Sequence, residues 1–380
     1  MTTDLTKSEL YIHIPFCVKK CLYCDFLSFP ADEKTKERYI EALCDELLYI
    51  GSERCDKPLR SVFIGGGTPS VLPAEHIVRV MDVVKSRFTT EPDAEITIEC
   101  NPGTLDEEKL RAYRECGINR LSLGLQSSDE KELKSLGRIH TYEDFTACVK
   151  MAENAGFDNI NVDLMSGLPG QTLQSFEETL RKVCTLSDSI KHISAYSLII
   201  EEETPFGQMY EEGKLSLPDE DTDREMYHMT SRILEEYGFN RYEISNYARP
   251  GYECRHNLGY WTGVEYYAAG LDAASYYGHC RYSNTPDMEE YLKDPLAGPT
   301  LIEKLDLSGL MSEYMILGLR LTSGVSISEF EKRFKTPLSC VYGSKIDRFI
   351  RDGLLEHKNN KLNLSEKGLD LANLVMRAFI

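Results

Sequence analysis

The chain has 380 residues, 42% hydrophobic and 28% charged, the proportions of an ordinary globular protein with one large core and one or two smaller units. Its 43 basic and 62 acidic residues give a net charge of −19 with no basic run, which argues against nucleic acid as a partner. No stretch approaches the roughly 20 apolar residues that span a bilayer. The first nine residues are short and polar, so the sequence predicts a soluble, unsecreted, cytoplasmic protein without a transmembrane segment.

From the start to about residue 215 one pattern repeats: a short β-branched run, a polar turn, then a longer stretch of helical period. It predicts strands at 11–14, 61–64, 96–99, 120–125, 159–164 and 192–198. Between and after them it predicts helices at 32–50, 73–87, 106–116, 141–155, 172–186 and 220–237. Pro73 stands where the first turn of a helix tolerates a missing N–H, and Gly117 and Gly156 stand where helices stop. Six alternating units require a parallel sheet with right-handed crossovers. Eight units would close a barrel, so the expected fold class is α/β, a partial (β/α)6 TIM-type barrel over residues 1–238. A doubly wound open sheet is the rival.

Residues 239–304, rich in Tyr, Gly and Asn with little helical period, are expected to extend the barrel. They contain the run Arg255-His256-Asn257-Leu258-Gly259-Tyr260-Trp261, with the only Trp of the chain. Residues 305–380 turn helical again and end in helix, hairpin and helix, the hairpin turning at Lys358-Asn359-Asn360-Lys361. That outline predicts a small α+β, winged-helix-like region, and the acidity of the chain argues against DNA as its ligand. Acidic clusters at Glu201-Glu202-Glu203 and Asp219-Glu220-Asp221 read as solvated surface.

Twelve cysteines in an unsecreted chain imply reduced thiols. Nine are scattered among mostly apolar neighbours and read as small buried hydrophobes. The other three, Cys17, Cys21 and Cys24, form C-x3-C-x2-C in the loop after the first strand. Three thiolates within eight residues can wrap one side of an iron–sulfur cube and leave its fourth iron open. Lys19 and Lys20 between them favour the thiolate form. A zinc site completed by His13, or three unrelated thiols, are the alternatives. The loop lies at the C-terminal end of a strand, where β/α barrels place their sites. Gly65-Gly66-Gly67-Thr68-Pro69 follows the second strand, and Glu99, Gln126 and Asp163 end later strands with polar groups. Together they suit a cationic, hydroxyl-rich ligand.

C-x3-C-x2-C in this position resembles the signature of radical S-adenosylmethionine enzymes. The resemblance implies a [4Fe–4S] cluster on Cys17, Cys21 and Cys24, whose open iron binds the methionine end of S-adenosylmethionine and whose reduction yields a 5′-deoxyadenosyl radical. From Tyr11 to about Asn284 the chain is similar to the oxygen-independent coproporphyrinogen III oxidase family. The S-adenosylmethionine contacts that this implies fall on Tyr11, Gly66, Gly67, Thr68, Glu99, Gln126, Arg138 and Asp163.

Two departures separate the chain from the oxidases of that family. Phe26 stands where they carry a fourth cysteine, and ten residues precede Tyr11 where they carry a longer extension. Conversely, His256-Asn257-Leu258-Gly259-Tyr260-Trp261 resembles the H-N-x-x-Y-W motif of the heme chaperone branch. That implies heme ligated by His256, with Tyr260 and Trp261 offering flat apolar surface and Cys254 nearby to assist or attach it. The function implied is a heme-binding chaperone that delivers heme to an acceptor protein, a membrane respiratory protein, with transient membrane association. The runner-up is coproporphyrinogen III oxidase itself. A radical enzyme of unrelated substrate is the third reading.

Overall fold

Apolar residues alternate with polar ones along each of six strands, and the alternation decides what each face of the sheet does. The computed structural model describes residues 4–380, leaving the first three residues of the polar N-terminal segment outside it. The strands are β1 (Ser8–Ile14), β2 (Leu59–Gly66), β3 (Thr90–Cys100), β4 (Arg120–Gln126), β5 (Ile160–Ser166) and β6 (Ile190–Ser197). Leu10, Ile12, Val62, Ile64, Ile98, Leu121, Leu123, Val162, Leu164 and Ile193 are wholly buried in the main core. Each contributes roughly 1.5–3 kcal/mol by leaving water. Helices α1 (Glu33–Glu53), α2 (Ala74–Arg87), α3 (Glu107–Glu115), α5 (Tyr142–Asn154), α6 (Leu173–Leu186) and α8 (Glu220–Glu236) cover that face. The intervening residues point the other way: Tyr11 meets Phe63, Ser122 donates to Asp163, and His192 bonds Asn161.

The six strands are parallel and lie in sequence order. A doubly wound sheet reverses its order at a switch point and puts helices on both faces. Here the order never reverses, so the right-handed crossovers keep the helices on one face and the other face curls inward. One cleft is lined from the loop after β1 and from the C-terminal ends of β2 to β6, as a partial barrel requires. The barrel does not close, because both flanks of the sheet continue into other strands.

The expected helices begin and end within a few residues of their predicted places. Pro73 is the N-cap of α2 rather than its first residue. Two short helices were not anticipated: α4 (Glu130–Ser135), capped by Asp129, and α7 (Pro205–Glu211), capped by Thr204 with Pro205 at its start. Both acidic clusters are exposed, and Asp219 caps α8. Of the nine scattered cysteines, Cys340 is exposed, Cys55 is half-buried and seven are buried.

The stretch expected to be irregular holds β7 (Asn240–Arg241), β8 (Asn246–Ala248), α9 (Arg255–Thr262), β9 (Glu265–Ala269), β10 (Ala274–Tyr277), β11 (Cys280–Ser283), α10 (Met288–Lys293) and β12 (Thr300–Lys304). These strands have two to five residues, too few for periodicity to register. β9 pairs in parallel with β1, and β8 pairs antiparallel with β6. Helix α9 plugs the N-terminal end of the barrel. Glu95 of β3 accepts from the backbone N–H of Arg255 (3.1 Å) and of His256 (3.2 Å) and so caps the helix from outside. Gly259 lies against Glu9 of β1, closely enough that a Cβ there would fall 2.0 Å from the carboxylate.

The C-terminal elements are α11 (Leu307–Arg320), β13 (Val325–Ser326), α12 (Ile327–Phe334), α13 (Leu338–Arg351), β14 (Leu355–Lys358), β15 (Lys361–Leu364), α14 (Glu366–Asp370) and α15 (Ala372–Arg377). The strands form a separate sheet in the order β13-β15-β14, over a core that includes Met315, Phe330, Val375 and Phe379. Asn359 and Asn360 turn the hairpin with φ of 51° and 61°, the left-handed pair that a two-residue turn demands. The winged-helix-like outline is therefore present. Among the described residues no helix is long and apolar enough to cross a membrane.

Gly259→Ala forces a methyl into the buried Glu9 carboxylate and loosens the α9 plug. The expected cost is about 1–3 kcal/mol, read as a lower urea midpoint. An unchanged midpoint would contradict this close approach.

Candidate functional site

The loop that follows β1 is tied at both ends before it presents its thiols. Phe29 N–H donates to Pro15 (2.9 Å) and Cys17 N–H donates back to Phe29 (3.1 Å). Phe16 packs edge-on against Phe29 and Tyr39. In mid-loop, Leu22 N–H donates to Leu136 at the end of α4, and its carbonyl accepts from Phe206 of α7. The two unanticipated helices thus buttress the cysteine loop.

Cys17, Cys21 and Cys24 are all half-exposed. Among the described residues no three His, Cys, Asp or Glu side chains are arranged to hold a single metal ion. His13 bonds Tyr11 Oη through Nδ1 (3.0 Å) and the Leu27 carbonyl through Nε2 (3.1 Å), so neither nitrogen is free for a fourth ligand. With both nitrogens engaged, His13 is a poor fourth ligand for zinc.

A polar chain ties the thiols to the neighbouring strand ends. Arg138 donates to Cys21 Sγ (3.6 Å), to Asn101 Oδ1 (2.8 Å) and to the Gly124 carbonyl. Asn101 donates in turn to Thr68 Oγ1 (2.9 Å), which lies 3.5 Å from Cys17 Sγ. Arg138 is therefore an integral part of this wall and not a surface arginine. Asn101 was not singled out from the sequence, although its place directly after β3 is the signal that would have found it.

The cleft behind the thiols, about 160 Å³, is lined by all three cysteines together with Gly66, Gly67, Thr68, Glu99, Gln126, Arg138 and Asp163. Ser122 and Tyr196, also unanticipated, complete it. Tyr11 is not on its surface and lies one layer deeper, against His13 and Phe63. Gly66 has φ of +108° and approaches the His13 ring so closely that a Cβ would lie 2.5 Å away, while its N–H donates to Glu99 (3.0 Å).

Three features suit this cleft to a ligand. Gln126 ends β4 at a bulge with φ of 71°, a strained conformation for a non-glycine residue. Its Oε1 is buried without a protein partner. Glu99 and Asp163 are two half-buried carboxyls facing one cavity. Burial, then the nearby Asp163, push Glu99 up to about 8, and burial also raises Asp163 against the pull of its bond from Asn161. A ligand with an ammonium group and hydroxyl donors would satisfy the amide oxygen and the two carboxyls, which fits S-adenosylmethionine.

His256 is elsewhere, at the opposite end of the barrel. Its partner Ser61 is five steps along β2 from Gly66, roughly 16 Å of strand. The imidazole is buried and stacked 5.2 Å from Phe63, with Nδ1 2.9 Å from Ser61 Oγ and Nε2 2.9 Å from Tyr260 Oη. Burial, then Arg60 and Arg120, pull it down to about 3, so it is neutral at pH 7. Burial likewise drives the Glu9 carboxyl well up, against the pull of Arg60. The 3.8 Å approach of Glu9 to His256 is therefore not an ion pair. Cys254 is buried beside Glu95, with its thiol pushed up to about 12 chiefly by burial.

Comparison with known proteins places this geometry among relatives. The Radical SAM superfamily pattern matches residues 11–183, and that of the HemN C-terminal domain matches residues 305–371. The heme chaperone HemW of Lactococcus lactis subsp. lactis is 37% identical over 98% of this chain and 97% of its own. That of Bacillus subtilis is 35% identical over 97% of this chain and 98% of its own. In structure the chain is similar to coproporphyrinogen III oxidase (HemN) from Escherichia coli, with a TM-score of 0.85 over 98% of this chain and 90% of that one. At 24% identity this last likeness speaks for the fold alone.

Glu99 sets a pH dependence whose sign is fixed. With its pKa raised from 4.5 to about 8, the folded state holds more protons than the unfolded state across that interval. Stability therefore falls as pH rises through it, by up to about 1.4 kcal/mol per pH unit from this group. Glu99→Gln should flatten that slope and raise the melting temperature at pH 8, while weakening S-adenosylmethionine binding tenfold or more. A variant less stable than wild type at pH 8 would contradict the assignment.

Proposed function

We propose, from the premise that this chain belongs to the HemW family of the radical SAM superfamily, that it is a heme chaperone which binds heme at helix α9 and passes it to an acceptor protein. The observation that carries this reading is the placement of the His-Asn-x-x-Tyr-Trp motif on a helix of its own, at the barrel end opposite the cysteine cleft. In this reading Cys17, Cys21 and Cys24 hold a [4Fe–4S] cluster. Gly66, Gly67, Thr68, Glu99, Gln126, Arg138 and Asp163, backed by Tyr11, hold S-adenosylmethionine. Bound together, the two supply one-electron chemistry at the barrel mouth.

His256 is the proposed axial ligand of heme iron. Its neutrality suits that role, since only an imidazole lone pair can bind a metal. In the closed arrangement the Tyr260 phenol occupies Nε2, and the ring of Tyr260 packs edge-on against His256 and Tyr266. Swinging Tyr260 aside exposes Nε2 at the cost of a hydrogen bond worth about 1 kcal/mol. A ligand that must be uncovered before it binds gives reversible affinity, as a carrier needs. Cys254, buried and bonded to Glu95, is a support of the helix rather than a point of attachment.

The coproporphyrinogen oxidase reading gains no observation of its own. Phe26, at the place of a fourth cysteine, is 68% exposed and offers no thiol. The proposed acceptor is a membrane respiratory protein, reached from the cytoplasm through transient contact with the membrane.

Heme titration followed in the Soret region should show one equivalent of axially ligated heme, whose characteristic band is lost in His256→Ala. Tyr260→Phe, which frees Nε2, should bind at least as tightly as wild type and faster. A ligated band unchanged in His256→Ala would overturn the ligand assignment. Anaerobically purified protein should carry about four irons and four sulfides per chain, lost on replacing Cys17, Cys21 and Cys24 by Ser; zinc without sulfide would contradict the cluster.

A further inference from the structure

Helix α9 has a second face that the barrel does not use. His256 and Tyr260 turn inward, while Leu258, Trp261 and Thr262 line a cleft of about 280 Å³ against the C-terminal module. Its opposite wall is Leu310, Tyr314 and Leu317 of α11. Leu258, Trp261, Leu310, Tyr314 and Leu317 are all half-buried, leaving apolar and aromatic surface within reach of solvent. The size lies near the lower end of the roughly 300–1,000 Å³ of small-molecule pockets, so a large ligand would be gripped along one side and remain partly exposed.

The rim carries the opposite charge to the protein as a whole. In a chain of net charge −19, Arg60, Arg333 and Lys361 border this cleft. The acids beside them are already engaged, Glu313 by Arg281 and Glu329 by Lys332. Arg333 lies over the Tyr314 ring, 5.9 Å from its centroid, and among the described residues neither it nor Lys361 has an acidic partner. Arg320 stacks 4.1 Å from the Trp261 ring, whose Nε1 is buried without a partner.

An apolar, aromatic cleft bordered by two cations without acidic partners fits a planar apolar dianion. We propose that this cleft seats the ring of a porphyrin dicarboxylate against Trp261 and Tyr314, with Arg333 and Lys361 taking its two carboxylates through charge-assisted bonds. The inference rests on the reading of this chain as a heme carrier, and it adds a seat that recognises ring and carboxylates rather than iron. Because His256 faces the other side of α9, the seat works without axial ligation.

The test uses full-length protein and metal-free protoporphyrin IX, whose fluorescence reports binding. Wild type should bind one equivalent. Arg333→Gln combined with Lys361→Gln should weaken binding tenfold or more with an unchanged melting curve, and His256→Ala should leave it unchanged. The dimethyl ester should bind wild type and the double variant equally weakly. Leu258→Glu, which sets a carboxylate in the cleft, should weaken the free acid as well. A double variant that binds like wild type, or an ester that binds like the acid, overturns the proposal. Heme bound with no affinity for the metal-free ring overturns the seat and spares the carrier reading, whereas a chain that binds neither loses both.

Discussion

A parallel sheet wound in one direction must fill its own concave side, and this constraint shapes the rest of the molecule. Every helix of the repeating units lies outside, on Leu10, Ile12, Val62 and their counterparts. The inside is left to alternate residues of the strands and to α9. Those residues are polar, so burial becomes an electrostatic problem as much as a packing one. Asn161 shows the solution, bonding Ser122, Asp163, Ser194 and His192 at once. Arg120, fully buried, is held charged against its own desolvation by groups that include Glu95 below and Asp163 above. One buried cation thereby links the two ends of the barrel.

The ends are finished differently. At the C-terminal mouth, strands stop on carboxyls, a strained glutamine and a glycine turn, leaving one acceptor without a protein partner and two carboxyls with raised pKa. Such a site stores unfavourable free energy that a cationic ligand recovers. At the N-terminal end His256 makes both of its hydrogen bonds and the helix is capped by Glu95. That end is structurally complete, and function there requires movement. A carrier uses both properties: a fixed site to hold its cofactors and a covered ligand to take and release its cargo.

The repeating half of the fold was legible because β-branched runs and helical periods were long enough to count, and Gly117 and Gly156 marked their ends. The C-terminal hairpin was legible from the short alternating pair of runs around Lys358-Asn359-Asn360-Lys361. What escaped were elements of two to eight residues, α4, α7, α9 and the flanking strands, whose caps were visible but whose periods were not. In the site, Cys17, Cys21, Cys24, Gly66, Gly67, Thr68, Glu99, Gln126, Arg138 and Asp163 meet at one cleft as strand-end logic suggested. Tyr11 sits behind it; Ser122 and Tyr196 were missed because their roles depend on curvature, which no local pattern encodes, whereas Asn101 was readable from its place directly after β3. The burial of His256 was equally invisible, since its partners Ser61 and Phe63 lie almost 200 residues away in sequence.

The account depends most on the separation of cargo from cofactors, at opposite ends of one barrel. Its most direct test is a heme titration of cluster-loaded protein, run anaerobically with and without saturating S-adenosylmethionine. Heme affinity and stoichiometry that are the same in both, with S-adenosylmethionine still bound at heme saturation, are the result this structure predicts. Mutual displacement would place heme in the cysteine cleft and contradict it.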